Sequence, residues 1–314
     1  MASEITYFCK IDRSMQPAIF FKAKSAEPRP LLVALHTWSY DHSRVYEEYA
    51  AICKKNDWNM IFPKFRGPNW TPEACGSDFV VSDIEDAVAF MKQKNKIDPN
   101  RVYLVGGSGG GHCSLLLAGR RPDLWAAVSS WCPISDIAAW HRQCINTPRF
   151  AHYAEHIEKA CEGNPMESAR AARECLLRSP LSWLANAPDL PIDISTGIHD
   201  GHTGSVPVSH TFNAFNVLAA DKDKVSEEDI DYVVKNEAIP PALAKKYKQD
   251  PSLDGREIHF RRQSNNTRIT IFEGGHNLLA FSAIQWLAKQ VKGKKADWSV
   301  GKPNKIKTDS ELTK

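Results

Sequence analysis

Apolar and polar positions change period repeatedly along this chain. Residues 4–10 and 17–24 alternate as a strand pair, and Pro30-Leu-Leu-Val-Ala-Leu-His36 is a nearly unbroken apolar run, suited to a strand buried on both faces. From Val45 to Asn56 the residues Val45, Tyr49, Ile52 and Cys53 recur at helical spacing. Trp58 to Pro63 is a second buried strand, and Val80 to Lys94 a helix with Ile84, Ala87, Val88 and Met91 on one face. Strand Arg101–Gly106, a helix from about Gly109 and strand Trp125–Trp131 continue the series. Such repetition predicts an α/β chain built on a doubly wound, mostly parallel sheet.

Two stretches break the alternation. Residues from about 133 to 187 are helical in pattern, rich in His and Arg and free of strand candidates, so a helical cap insertion over the sheet is expected. Strand Pro191–Gly197 and helix Val208–Ala219 resume the series, and a charged second insertion, about 221–266, interrupts it again. Strand Thr267–Glu273 and helix Asn277–Val291 close a domain spanning 1–292, and 293–314 form a basic polar tail expected to be loosely ordered.

Composition narrows the function classes. Forty Lys and Arg against 37 Asp and Glu leave a formal charge of +3 on 314 residues, with no basic stripe for nucleic acid or an anionic membrane. No apolar run reaches the roughly 18 residues of a membrane helix, and the opening residues lack the apolar segment of a secretory signal. A soluble chain is expected, either cytoplasmic or exported after removal of a signal. The eight cysteines show no CxxC pair, so most are expected as buried thiols. Cys144, Cys161 and Cys175 crowd the cap, where export would permit one bridge. Asn69 and Asn265 each begin a glycosylation sequon, a pattern frequent by chance.

The sharpest chemical signal is Gly106-Gly-Ser108-Gly-Gly110, directly after an apolar strand and before a helix-forming run. That context is a nucleophile elbow, a tight strand-to-helix turn that presents a serine hydroxyl at a helix N-terminus. A phosphate loop would need a Gly-Lys-Ser/Thr ending or an acidic residue closing a second strand, and neither is present. A serine needs an oriented base, and in this fold the acid and the histidine follow in that order, each after a strand. Asp200, in Ile198-His-Asp-Gly-His202, and His276, in Gly274-Gly-His276, occupy those places. Asp189 and Asp193 come earlier and fit less well. Gly109 N–H is one expected oxyanion donor, and Trp38 N–H, or that of Thr37, the other.

These motifs resemble the α/β-hydrolase superfamily, and within it the single-domain serine esterases related to the prolyl oligopeptidase catalytic domain. Lys96-Ile-Asp-Pro-Asn-Arg-Val-Tyr-Leu-Val-Gly-Gly-Ser108, Ser179-Pro-Leu-Ser-Trp183, Val206-Pro-Val-Ser209 and Glu273-Gly-Gly-His276 carry the likeness, which spans about 28–292. It implies an α/β-hydrolase fold with a Ser108, Asp200, His276 triad and no cofactor. Three departures stand out, one being a segment between Asp200 and His276 that is longer than a minimal hydrolase needs. Roughly 30 residues precede the first core strand, too few for the propeller of the oligopeptidases, and His36-Thr37 replaces the usual His-Gly.

The expected activity is acyl transfer on a carboxylic ester, with a carbohydrate-linked acetyl, methyl-uronate or feruloyl ester as substrate. Arg66 is a candidate for binding a substrate carboxylate or sugar hydroxyls, with an ion pair to Asp83 or Asp86 as its other reading. Trp70, Trp131 and Trp140 are candidate flat surfaces for a sugar or aromatic acid, or packing residues of core and cap. One alternative is a serine peptidase of the prolyl oligopeptidase type acting on short peptides, with Glu155, Glu158 or Glu162 anchoring an amino terminus. A non-catalytic binding protein of the same fold is another. His141, His152 and His156 lack metal-ligand spacing, so no metal site is expected.

Overall fold

The computed structural model describes residues 3–44 and 47–303. The first half runs β1 (Ser3–Phe8), β2 (Met15–Phe21), β3 (Arg29–Leu35), α1 (Glu47–Asn56), β4 (Asn59–Pro63), α2 (Asp78–Lys94), β5 (Ile97–Gly107), α3 (Gly109–Arg120) and β6 (Ala127–Trp131). The cap helices α4 (Ile137–Ile145), α5 (Ala151–Ala160) and α6 (Ala169–Arg178) follow. The chain returns through β7 (Ile192–Gly197), α7 (Ser209–Leu218), α8 (Glu227–Asn236), β8 (Ile258–Ser264), β9 (Thr267–Phe272) and α9 (Ala280–Leu287).

The strands form one sheet in the order β1-β2-β4-β3-β5-β6-β7-β9-β8. Pairing is parallel from β4 through β9 and antiparallel at both edges. This is the doubly wound arrangement that the pattern predicts, and its inner strands are buried throughout because helices cover both faces. One core packs α2 and α3 on the sheet through Leu31, Val33, Ile84, Val88 and Leu116, and the other packs α1 and α9 through Leu32, Phe62, Trp131 and Ile284. Winding in both directions from β3 leaves the carboxyl ends of β3 and β5 side by side, where such folds place ligands.

Two expectations need correction. The second insertion, expected as a charged break in the series, holds a strand, because β8 lies inside it as an antiparallel edge. Ile258 and Phe260 face inward, but Arg261 and Arg262 hide the alternation in a segment read as charged; Arg261 donates through Nε to Thr270 Oγ1 and through Nη1 to Asp250 Oδ2, at 3.0 Å each. The tail is strapped to the body as far as residue 303. Trp298 stacks on Trp286 at 5.2 Å, and Gln290 exchanges hydrogen bonds with the Asp297 backbone. Residues 304–314, and Val45 of the first predicted helix, lie outside the described residues. The eight cysteines are buried free thiols, with Cys161 and Cys175 Sγ 3.5 Å apart. Among the described residues no helix is long and apolar enough to cross a membrane.

The cap is joined to the sheet domain by buried polar contacts. Arg178 on α6 donates to the Ala74 and Pro72 carbonyls at 2.8 and 2.9 Å. His112 on α3 donates through Nε2 to the Arg178 carbonyl at 2.7 Å. His210 on α7 accepts through Nδ1 from Ser135 N–H at 3.2 Å and meets Gln143 Oε1 through Nε2 at 2.8 Å, which requires a neutral ring.

Burial pushes His112 and His210 down from 6.5 to about 4, so folding holds both neutral. Lowering the pH charges them first in the unfolded chain, so stability falls as pH drops through 6.5 and stops falling, on this account, near 4, at roughly 3 kcal/mol per ring. Urea unfolding across that window should show the decline, and His210→Gln should reduce its slope; an unchanged slope would refute the role of this ring.

Candidate active site

Ser108 occupies the turn between β5 and α3 with φ 57° and ψ −122°, a strained conformation for a residue with a side chain. Its N–H is held by the Trp131 carbonyl at 2.9 Å. The turn can be this tight only because its neighbours lack side chains. A Cβ on Gly106 would lie 2.2 Å from the Gly110 carbonyl oxygen, and one on Gly109 would lie 2.5 Å from Trp38 N.

That second contact defines the chemistry of the turn. It sets the first residue of α3 against the Trp38 backbone in the loop after β3, and the N–H of neither finds a backbone acceptor among the described residues. Two adjacent unpaired N–H groups at a helix N-terminus can hold an oxyanion. The loop is stiffened by His36, whose ring stacks on Phe65 at 3.8 Å between the Lys64 and Thr37 carbonyls. Trp38 is braced from the cap by Trp140, edge-on at 4.7 Å, and Trp140 in turn by Tyr153 at 5.0 Å.

His276 and Asp200 arrive from the loops after β9 and β7, which are adjacent strands. His276 Nδ1 lies 2.8 Å from Asp200 Oδ2. Thr196 Oγ1 also donates to Oδ2, while Gly201 and Val206 N–H donate to Oδ1, so the buried carboxylate is held in one orientation. Asp193 is committed elsewhere, in a bidentate pair with Arg268 at 2.8 Å on both arms. His199 is held between Glu237 and Glu273.

Cys132, at the end of β6, is a neighbour of this pair that sequence reading passed over. Its Sγ lies within 4.8 Å of ligand atoms of both Asp200 and His276, and it donates to the Asn277 carbonyl at 3.4 Å. Burial, together with the Asp200 charge, pushes the thiol up and keeps it neutral. Burial also opposes a charged His276, but the Asp200 carboxylate on Nδ1 outweighs it and holds the imidazole above its usual 6.5.

A cavity of about 360 Å³ joins Ser108 and His276 to Thr37, Trp38, Ser39, Tyr40, Arg44, Tyr153 and Ser205. The four residues proposed from sequence to bind substrate do not line it. Arg66 is gripped by Asp83 at 2.8 Å on two nitrogens and by Asp12 at 2.6 Å, the ion-pair alternative. Trp70 packs against the His156 ring, Trp131 is a core residue against Phe272, and Trp140 lies behind Trp38 with Nε1 on the Ser205 carbonyl. Of the acidic cap residues, Glu158 meets His141 and Glu162 pairs with Arg170, and none of the three lines the cavity. Tyr40, Arg44, Tyr153 and Ser205 are the lining residues that sequence reading missed. They lie in loops and a cap helix whose approach to Ser108 has no local signature.

Comparison with known proteins places these residues in company. The pattern of the Prolyl oligopeptidase family matches residues 76–235, just over half of the chain. Acylamino-acid-releasing enzyme 1 of Oryza sativa subsp. japonica is 24% identical over 214 residues, covering 59% of this chain and 26% of that protein. The chain thus spans about a quarter of the length of the curated relatives it matches. Among solved structures, the Pyrococcus horikoshii acylaminoacyl peptidase superposes with a TM-score of 0.65 at 13% identity, over 95% of this chain and 43% of that one. Oligopeptidase B from Leishmania major gives 0.54 at 16% identity, over 71% and 32%. Both likenesses are of fold, and the fold is that of the α/β-hydrolases.

A reaction that draws on neutral His276 will gain rate along a limb centred above pH 6.5, because the raised ring must first lose its proton. Asp200→Asn should move that limb down and cut kcat by roughly 10⁴-fold. A pH–rate profile of the two proteins checks both; a limb unmoved by the substitution would detach Asp200 from the base. Gly109→Ala should displace Trp38 N–H and cost about 10²–10³-fold in kcat, with circular dichroism unchanged.

Proposed function

Because the chain belongs to the prolyl oligopeptidase family, we propose that it is a serine peptidase that cleaves short, N-acylated peptides through an acyl-enzyme. Ser108 attacks the scissile carbonyl as His276 takes its proton, and Asp200 holds the imidazolium that forms. The N–H groups of Gly109 and Trp38 receive the oxyanion. His276 then returns the proton to the leaving amine, and a water activated by the same histidine releases the acyl group.

The observation that carries this reading is the family match together with the cavity that holds Ser108. Among its described lining residues none is a carboxylate, so a free amino terminus finds no counter-charge there, whereas an acylated one needs none. The names of the relatives, an acylamino-acid-releasing enzyme and an acylaminoacyl peptidase, agree with that preference. The carbohydrate-ester expectation loses its support. It rested on Arg66 and three tryptophans, none of which lines the cavity.

Matched p-nitroanilides with acetylated and free amino termini, assayed beside acetylated, methyl-esterified and feruloylated glycans, test the proposal. The acetylated peptides should be cleaved about tenfold or more faster than the free ones, and Ser108→Ala should lose at least roughly 10⁴-fold. Turnover of the glycan esters without peptide cleavage would restore the ester reading. Full activity in Ser108→Ala would remove the nucleophile.

A further inference from the structure

The cavity around Ser108 has a charge pattern that the proposed peptide cleavage does not use. Thr37, Ser39, Tyr40, Tyr153 and Ser205 offer neutral hydrogen-bonding groups, and Arg44 brings the one permanent charge among the described lining residues. Elsewhere in the protein, arginines that approach the core are matched by carboxylates: Arg66 by Asp83 and Asp12, Arg268 by Asp193, Arg261 by Asp250, Arg178 by Glu174. Arg44 is not. Among the described residues no carboxylate lies within 4 Å of it, and its guanidinium rests over the Tyr40 ring, 3.9 Å from the centroid.

A guanidinium packed on an aromatic face keeps its edge N–H groups free, and those present a fork that fits a carboxylate. Tyr40 therefore works as a platform that limits the conformations Arg44 must give up on binding. The cavity is at the small end for ligand sites, so an anion that reaches both Arg44 and Ser108 belongs to a small molecule or to a residue close to the scissile bond.

We propose that Arg44 is a specificity-determining residue that selects substrates carrying a carboxylate near the scissile carbonyl. The proposal rests on Ser108 as the nucleophile of the reaction described above. The carboxylate has two possible sources, the free carboxyl terminus of a very short acylated peptide and an acidic side chain beside the cleaved bond.

Two substrate pairs separate those sources: an N-acetyl dipeptide with its carboxyl terminus free or amidated, and an N-acetyl peptide amide with Glu or Gln next to the cleaved bond. Each is assayed for kcat/KM in wild type, Arg44→Gln, Arg44→Lys and Arg44→Glu. Wild type should prefer the charged member of at least one pair by about tenfold or more, the span of a charge-assisted hydrogen bond, mainly through KM. Arg44→Gln should abolish the preference, Arg44→Lys should keep part of it, and Arg44→Glu should reverse it. Calorimetric binding of the free and amidated dipeptides to Ser108→Ala, with and without Arg44→Gln, reads the same preference without turnover. Charge-dependent binding that vanishes with Arg44→Gln sustains the Arg44 proposal even if no peptide is cleaved, an outcome that would sink only the peptidase reading. Equal ratios in wild type and Arg44→Gln, in both turnover and binding, would overturn it.

Discussion

The close approach of two backbone segments, the first turn of α3 and the loop after β3, is the constraint on which the site depends. Nothing larger than hydrogen fits between Gly109 Cα and Trp38 N, so the spacing of the two backbone segments is set by van der Waals contact rather than by flexible side chains. The strain at Ser108 has the same origin. A parallel strand that must turn at once into a helix, with its neighbour pressed alongside, leaves one residue at positive φ, and Trp131 O holds that residue by its N–H. The cap contributes by bracing the loop from outside through Trp140 and Tyr153.

A second geometric condition lies in the register of β7 and β9. Asp200 and His276 belong to loops at the ends of these strands, so a slip of one residue would separate them. Asp193 and Arg268 face each other across this pair in a buried bidentate ion pair. Breaking such a pair leaves a charge uncompensated in the interior, at a cost of several kcal/mol. The interaction is an expensive way to gain stability but an effective way to forbid the wrong register. It explains why an acid that sequence alone made a candidate for the triad is unavailable to it.

Charge is distributed accordingly. Carboxylates and guanidiniums near the core cancel in pairs, and among the described lining residues of the cavity only His276 and Arg44 are basic. The aromatic residues divide in a similar way. Trp131 and Trp140 spend their rings on packing and their N–H groups on Ser129 Oγ and the Ser205 carbonyl, whereas Trp38 offers its backbone to the site.

Much of this was legible along the chain. Strand and helix order followed from the period of the apolar residues, because each inner strand is buried on both faces and each helix on one. The proposed triad of Ser108, Asp200 and His276 could be named because a hydrolase sheet demands such residues in that order at strand ends, and a glycine pattern is a local signal. The edge strand β8 and the strapped tail were obscured, since Arg261, Arg262 and the lysines around Trp298 conceal a few apolar contacts within polar segments. Arg66 illustrates the limit. Its position after β4 suggested the substrate side, yet Asp83 and Asp12 claim it, and no local pattern states which long-range partner wins. Sequence by itself determined the elements, their order and the residues able to do chemistry, because those depend on neighbours a few positions away. Only the tertiary structure decided which side chains face the cavity, because that depends on cap and loops meeting across distances that no periodicity encodes.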